Sequence, residues 1–157
     1  MKPKSTPEPG ELRERALRLL ARREHSRMEL ARKLEQAGFT AGDIALLLDD
    51  FEERNWLSDR RFAESYVADH RARAGSVKLA YELRWRGVSD SVIETVLSDN
   101  RASELERAHE VWKKKFGTAP ADSTEKARQI RFMQSRGFTP DVIRRAIMGA
   151  AEAQSNY

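Results

Sequence analysis

The sequence predicts an all-α protein built as a tandem array of three three-helix repeats, elongated and curved. A glycine, an apolar residue and a serine or threonine follow one another at Gly38, Gly87 and Gly137, 49 and 50 residues apart. A period of this length with helical patterning on both sides is typical of helical repeat proteins. No alternating apolar and polar run is long enough to predict a strand. Each repeat alone would leave an apolar face uncovered, so we expect neighbouring repeats to stack.

The glycine period also divides the chain. We predict a disordered N-terminal tail at residues 1–10, which hold three prolines and a glycine, and helical repeats at 11–57, 58–98 and 99–150. A short C-terminal tail is predicted at 151–157. A self-contained array with polar ends favours a monomer.

Nine helices are predicted, three in each repeat. Five of them have start signals, because Thr40, Ser58, Ser89, Ser103 and Thr139 each come directly before an acidic or proline-containing first turn. Each repeated glycine stands where a left-handed cap would end the middle helix of its repeat. The predicted helices lie near 11–23, 27–37, 41–54, 59–73, 77–86, 90–98, 103–116, 124–136 and 140–149.

Apolar residues recur at fixed distances from the glycines and predict the core. Four residues before the glycines stand Leu34, Leu83 and Met133, and twenty-one residues before them stand Leu17, Tyr66 and Phe116. Trp56 and Trp112 are also predicted to pack inside. For Trp85 the sequence leaves core packing and surface exposure equally open.

Composition limits the classes of function. The chain has 39% hydrophobic and 34% charged residues, no cysteine and no apolar run that could span a bilayer, so we expect a cytoplasmic protein without disulfides or thiolate metal sites. Its net charge is +4, of which residues 99–157 carry +3. A net positive charge of this size permits contact with polyanions but does not require it.

Catalytic patterns are missing from the sequence. His25, His70 and His109 belong to no metal-ligand motif, and we expect each to be an exposed structural residue. There is no glycine-rich phosphate-binding loop. We therefore expect a protein that is not an enzyme and uses no metal or cofactor.

Basic residues, in contrast, recur in all three repeats. Several lie near predicted helix ends, where a cation is also favoured by the helix dipole, so no single one is diagnostic. Trp85 stands between Arg84 and Arg86. Such a cluster of aromatic and guanidinium groups suits both nucleic-acid backbones and protein interfaces.

Several segments resemble the RecX family of bacterial recombination regulators. The most distinctive one is Leu57-Ser58-Asp59-x-x-Phe62-Ala63-x-x-Tyr66, and it is followed by Gly75-x-x-Lys78-Leu79-x-x-Glu82-Leu83-x-x-x-Gly87. The first and third repeats carry similar stretches, so the resemblance extends over residues 11–149. Its signature positions are Leu57, Asp59, Phe62, Ala63, Tyr66, Gly75, Leu83 and Gly87.

The resemblance implies a protein that binds the RecA filament on single-stranded DNA and inhibits RecA ATPase, strand exchange and coprotease activity, with a weak direct DNA contact also allowed. On that basis we expect basic residues of repeats two and three to face the filament: Arg71, Arg73, Lys78, Arg84, Arg86, Lys113, Lys114 and Lys115. Two alternatives remain open, a stand-alone non-specific DNA-binding module and a helical adaptor for another protein.

Overall fold

The computed structural model describes residues 8–155, and within them it is helical and without strands. This confirms the all-α class with three helices in each repeat. Unit 1 contains α1, α2 and α3, unit 2 contains α4, α5 and α6, and unit 3 contains α7, α8 and α9. Their bounds are α1 Pro9–Arg22, α2 Arg27–Gln36, α3 Ala41–Glu53, α4 Asp59–His70, α5 Ser76–Trp85, α6 Asp90–Ser98, α7 Glu104–Lys115, α8 Ser123–Ser135 and α9 Pro140–Ser155.

Both predicted tails are too long. Helix α1 begins at Pro9, because proline suits the first helical position, where its missing N–H is not needed. Helix α9 continues to Ser155 rather than ending near 149. Residues 1–7, 156 and 157 of the predicted tails lie outside the described residues. A 3₁₀ turn at Arg101–Ser103, which the sequence did not predict, precedes α7.

The helix ends follow local capping chemistry. The hydroxyls of Thr40, Ser58, Ser89 and Thr139 accept backbone N–H groups three residues ahead, as predicted. Ser103 does not, since its hydroxyl donates to the Asn100 carbonyl instead. The three glycines have positive φ angles of 99°, 85° and 86°, which confirms left-handed caps on all three middle helices.

Each unit has its own apolar core. Leu34, Leu83 and Met133 are all fully buried, one in each core, and the predicted core residue Trp112 is 2% exposed. The other two tryptophans lie nearer the surface. Trp56, which was expected in the core, is 42% exposed although its ring contacts Phe51, and Trp85 is 66% exposed.

The first helices of the units do not align at the predicted offset from the glycines. Ala16, Ala63 and Ala108 are each fully buried and occupy matching places in α1, α4 and α7, at different distances from the glycines of their units. Trp112 therefore matches Val67, since each stands four residues after its alanine. The expected equivalence of Leu17, Tyr66 and Phe116 is wrong because the connections between the first and middle helices differ in length and because α8, with 13 residues, is longer than α2 and α5, with 10 each.

Neighbouring units meet end to end through their middle helices. At the second junction, which joins units 2 and 3, the N–H groups of Gly75 and Val77 donate to the carbonyls of Arg136 and Gly137 at 2.8 and 3.0 Å. The N-terminus of α5 thus faces the C-terminus of α8, an arrangement that the two helix dipoles favour. A β-carbon at Gly75 would lie 2.5 Å from the Gly137 carbonyl oxygen, so this contact requires glycine.

The first junction, between units 1 and 2, repeats this arrangement with different chemistry. Ser26, the N-cap of α2, donates through its hydroxyl to the Arg86 carbonyl at 2.7 Å. Gly87 packs against the Met28 side chain. The N-terminus of α2 therefore faces the C-terminus of α5, so that the three middle helices follow one another in the order α8, α5, α2.

A carboxylate from the next unit completes each junction. Asp59, the first residue of α4, accepts the Arg27 N–H at 2.8 Å, and Glu104, the first residue of α7, accepts the Ser76 N–H at 2.9 Å. Helix α5 has no side-chain cap of its own. Its first N–H groups are satisfied by unit 3, because unpaired donors at a helix end would otherwise cost stability.

His25 is buried beside the first junction, contrary to the prediction that it is exposed. Lys33 Nζ lies 2.8 Å from its Nε2, which must accept because an ammonium group can only donate. The other nitrogen, Nδ1, therefore carries the proton and donates to the Arg23 carbonyl at 3.0 Å. The imidazole is held neutral, and burial is the largest cause that lowers its pKa. The hydrogen bond to the Arg23 carbonyl opposes burial, the charges of Arg23 and Lys33 lower the pKa further, and Glu29 raises it slightly.

We expect acid to destabilise the protein through His25. In the unfolded chain this histidine takes up a proton near pH 6.5, whereas the folded chain resists protonation until a lower pH. The stabilising effect is therefore complete above pH 6.5 and is lost as pH falls toward the folded pKa, by up to about 1.4 kcal/mol per pH unit. Urea unfolding of wild type and His25→Gln at pH 7.5 and 5.5 measures this, and equal pH dependence in both proteins would contradict it.

Candidate functional site

The family-signature positions are mostly structural. Leu57 belongs to the core of unit 1, and Phe62, Ala63 and Leu83 belong to that of unit 2. Asp59, Gly75 and Gly87 form the junctions described above. Tyr66 is the exception, since it is half-buried and lines a groove between units 1 and 2.

This first groove is a cavity of about 290 Å³ with mixed charge. Arg86 lies over the Tyr66 ring at 4.6 Å, and His70 stacks on the same ring at 3.9 Å between centroids. Burial and a hydrogen bond donated to Glu82 raise the pKa of Tyr66 to about 12, so its hydroxyl stays protonated. The remaining lining residues include three carboxylates: Glu24, Glu29 and Asp69.

Most charges at the first groove are neutralised within the protein. Arg23 pairs with Glu29 at 2.7 Å, and Glu24 pairs with Arg61 at 3.0 Å. Arg86 donates to the Glu82 carbonyl at 3.0 Å. A groove with internal ion pairs of this kind has little net charge to offer a partner.

A second groove lies at the matching place between units 2 and 3, and its charge is different. It is a cavity of about 240 Å³ lined by four cationic side chains without a carboxylate: Arg73, Lys114, Lys115 and Arg136. The apolar part of the lining is Ala72, Val111 and Phe132. We call these seven residues the basic groove.

The two grooves correspond position by position, which makes the difference in charge informative. Arg73 stands two residues before Gly75, as Glu24 stands before Ser26, and Lys114 occupies the place of Asp69. Arg136 precedes its glycine as Arg86 does. The same backbone arrangement therefore has carboxylates replaced by cations in the second groove.

Within the described residues, the cations of the basic groove have no counter-ion. Lys115 Nζ and Arg136 Cζ lie 5.3 and 5.2 Å from the centroid of the Phe132 ring, which attracts both electrostatically. Among the described residues, none of the four cationic groups forms an ion pair. Four like charges within one cavity repel each other, so an anion from a partner would be stabilising there.

The other predicted basic residues lie elsewhere. Arg84 is paired with Asp90 at 2.9 Å, and Lys78 packs against Gly137 at the second junction. Arg71 is exposed at the end of α4, where its guanidinium is 3.4 Å from the Asn100 side chain. Lys113 is exposed on α7 and does not line the basic groove.

Sequence reasoning missed Arg136, the fourth cation of the basic groove. A signal was present, because Arg86 and Arg136 both come directly before a repeated glycine. It also missed Arg107, whose half-buried guanidinium donates to the carbonyls of Arg71 and Ala74 at 2.7 and 3.3 Å across the second junction. Burial lowers the pKa of Arg107, and Arg71 lowers it further against the opposing charge of Glu104.

Within residues 8–155, no group of three or more histidine or acidic side chains is placed to hold a metal ion. No helix in that range is long and apolar enough to cross a membrane. The fold and the grooves define a class, a three-unit helical repeat protein with a basic surface suited to binding.

Comparison with known proteins identifies the family. The chain matches models of the first, second and third three-helix domains of RecX over residues 13–51, 58–97 and 102–147. It belongs to the RecX family.

Curated relatives and solved structures agree with this assignment. The regulatory protein RecX of Ralstonia nicotianae is 45% identical over 91% of this chain and 90% of its own, and that of Halorhodospira halophila is 46% identical over 90% and 89%. The crystal structure of RecX from Lactobacillus salivarius has the same fold, with a TM-score of 0.80 over 91% of this chain and 96% of its own at 19% identity.

Proposed function

We propose that this protein binds the RecA filament on single-stranded DNA and inhibits the ATPase, strand-exchange and coprotease activities of RecA. The observation that carries the proposal is the match to all three RecX domains in order, together with 45% identity to a regulatory protein RecX over nearly the whole length of both chains. The protein would act in the cytoplasm as a monomer, without chemistry of its own.

The basic groove supports this proposal. Its four unpaired cations would face acidic side chains of RecA or phosphates of the bound DNA, and the loss of their mutual repulsion would contribute to binding. Arg71, Lys78, Arg84 and Arg86 would add weaker contacts along units 2 and 3, whereas Lys113, which does not line the basic groove, would contribute little. Several modest contacts made together give an affinity that none of them gives alone.

Inhibition follows if the bound protein favours one state of the filament. A ligand shifts an equilibrium between two states by the difference in its affinity for them, so no catalytic group is needed. A chain that contacts neighbouring RecA subunits would hold them in the arrangement that it binds best. ATP hydrolysis and strand exchange, which require the subunits to change arrangement, would then slow.

A second candidate function is non-specific DNA binding without RecA, which the unpaired cations of the basic groove also favour. Co-sedimentation separates the two. We expect the protein to sediment with RecA assembled on single-stranded DNA, and much less with the same DNA alone at roughly physiological salt. Equal sedimentation with both samples, with a steep loss as salt is raised, would instead establish the DNA-binding module. Sedimentation with neither would overturn both and leave the adaptor.

A further inference from the structure

Helix α5 carries an exposed apolar stripe that neither groove uses. Val77, Tyr81 and Trp85 stand four residues apart and are 56%, 63% and 66% exposed. Positions four apart lie on one face of a helix, about 6 Å from each other along its axis. We call these three residues the α5 stripe.

The two rings of the α5 stripe are largely exposed. Elsewhere in the described part of the chain, the rings of Phe51, Tyr66, Trp112 and Phe132 pack against other rings or cations. Within the described residues, Tyr81 and Trp85 make no contact of this kind, and both residues are more than 60% exposed. Large exposed aromatic side chains at regular spacing mark an interaction surface.

The charges beside the stripe indicate the kind of partner. Lys78 flanks it without an ion pair among the described residues, and Arg84 flanks it in an ion pair with Asp90. Glu82, the acidic residue of α5, accepts the Tyr66 hydroxyl hydrogen. One end of the stripe meets the basic groove, because the Val77 N–H bonds to the Gly137 carbonyl, next to Arg136. The two aromatic rings therefore lie next to the cations of the basic groove. The one carboxylate of their own helix, Glu82, already has a partner in Tyr66.

We propose that the α5 stripe is a single-stranded nucleic-acid site, with unpaired bases stacked on Tyr81 and Trp85 and the adjoining phosphates held by Lys78 and the basic groove. A free ring on a convex helix face presents a flat surface to a base, and a base has a flat face whatever its identity. Neighbouring cations supply the sequence-independent attraction to the backbone. The site would therefore accept single strands of any sequence and reject duplexes, whose bases are already stacked.

This site would give the proposed regulator its direct contact with DNA, but the test needs no RecA. Fluorescence-labelled oligothymidylate of about 20 nucleotides is titrated with the full chain at low salt, and anisotropy reports binding. The variants are Tyr81→Ala/Trp85→Ala and the matched control Leu46→Ala/Met148→Ala, which removes two exposed apolar side chains in units 1 and 3. Circular dichroism checks that each is folded.

We expect the stripe variant to bind oligothymidylate at least about tenfold more weakly, since each stacked base contributes measurably, while the control binds as wild type does. We also expect quenching of wild-type tryptophan fluorescence by the oligonucleotide and its loss in Trp85→Phe, which keeps a ring for stacking. Unchanged affinity in the folded double variant, or equal binding of wild type to duplex DNA, would overturn the site. A stripe variant that binds the oligonucleotide normally but no longer sediments with RecA filaments would show a protein-docking surface instead, and the proposed function would stand.

Discussion

Replacement of Gly137 with alanine is expected to lower the free energy of unfolding by about 2 to 5 kcal/mol. The residue has φ +86°, and a side chain in the left-handed region costs about 1 to 2 kcal/mol. The new β-carbon would also lie 2.2 Å from Lys78 Cβ and 2.5 Å from the Lys78 nitrogen, and overpacking of this kind costs about 1 to 3 kcal/mol. Relief of the clash would have to separate α5 from α8.

Urea unfolding followed by circular dichroism at 222 nm measures this change. Gly42→Ala is the matched control, because Gly42 lies inside helix α3, has no positive φ, and has nothing within 4 Å of the position that a β-carbon would take. Because Gly42 is only the second residue of α3, alanine there should leave stability unchanged or raise it by less than about 1 kcal/mol. Equal stability of Gly137→Ala and wild type would contradict the end-to-end packing of the middle helices at the second junction.

Charge reversal in the basic groove is expected to weaken binding to the RecA filament by at least about tenfold at low salt. In Arg73→Glu/Lys114→Glu two cations without internal partners become anions, so the groove would repel the acidic groups or phosphates that it is proposed to bind. Each is exposed and makes no ion pair with the described residues, so the fold should be retained. The loss should shrink as salt is raised, because screening weakens attraction and repulsion alike.

The control for this experiment changes the net charge by the same amount outside the groove. Lys113 is the neighbour of Lys114 on α7 but does not line the cavity, and Arg22 is exposed at the end of α1. Lys113→Glu/Arg22→Glu should bind filaments within about threefold of wild type if location matters more than total charge. Equal losses in both double variants would show a diffuse electrostatic attraction and would remove the special role of the basic groove.

Much of the fold is predictable from the sequence because its signals are local. The glycines after each middle helix require a left-handed backbone, and the Ser, Thr and Pro residues before several helices satisfy N-terminal donors or do not need one. Because these signals recur in each repeat, most predicted helix ends lie close to the observed ones. Ser103 misled the prediction because it lies at the end of a 3₁₀ turn with φ −98° and ψ −2°, not in the extended conformation of the other capping serines. Its hydroxyl donates to the Asn100 carbonyl and accepts from the Arg107 side chain.

Contacts between units were not predictable in the same way. The N-terminus of α5 has no cap in its own sequence, and its donors are satisfied by Arg136, Gly137 and Glu104 from unit 3. These contacts depend on how one unit lies against the next, which residue spacing within a unit does not specify. The burial of His25, whose ring is bonded to Arg23 and Lys33 of its own unit, was likewise not marked by any motif.

The candidate site, too, was predictable in its residue types but not in its spatial arrangement. The sequence identified Arg73, Lys114 and Lys115 as basic residues, but could not separate them from Lys113, which does not line the cavity. Which lysines line the cavity depends on the register of α7. This register could not be copied from α4, because the two helices lie at different sequence distances from the repeated glycines of their units. Arg136 is recognisable as part of the site only in the structure, where the second junction places it beside α7.

The most direct test of the proposed function is the single-stranded-DNA-dependent ATPase rate of RecA from the same organism, titrated with this protein from far below to equal stoichiometry. We predict inhibition by the wild type at substoichiometric amounts, little change for Lys113→Glu/Arg22→Glu, and a shift to at least about tenfold higher concentration for Arg73→Glu/Lys114→Glu. Absence of inhibition by folded wild-type protein at equal amounts would contradict the proposed regulation of RecA.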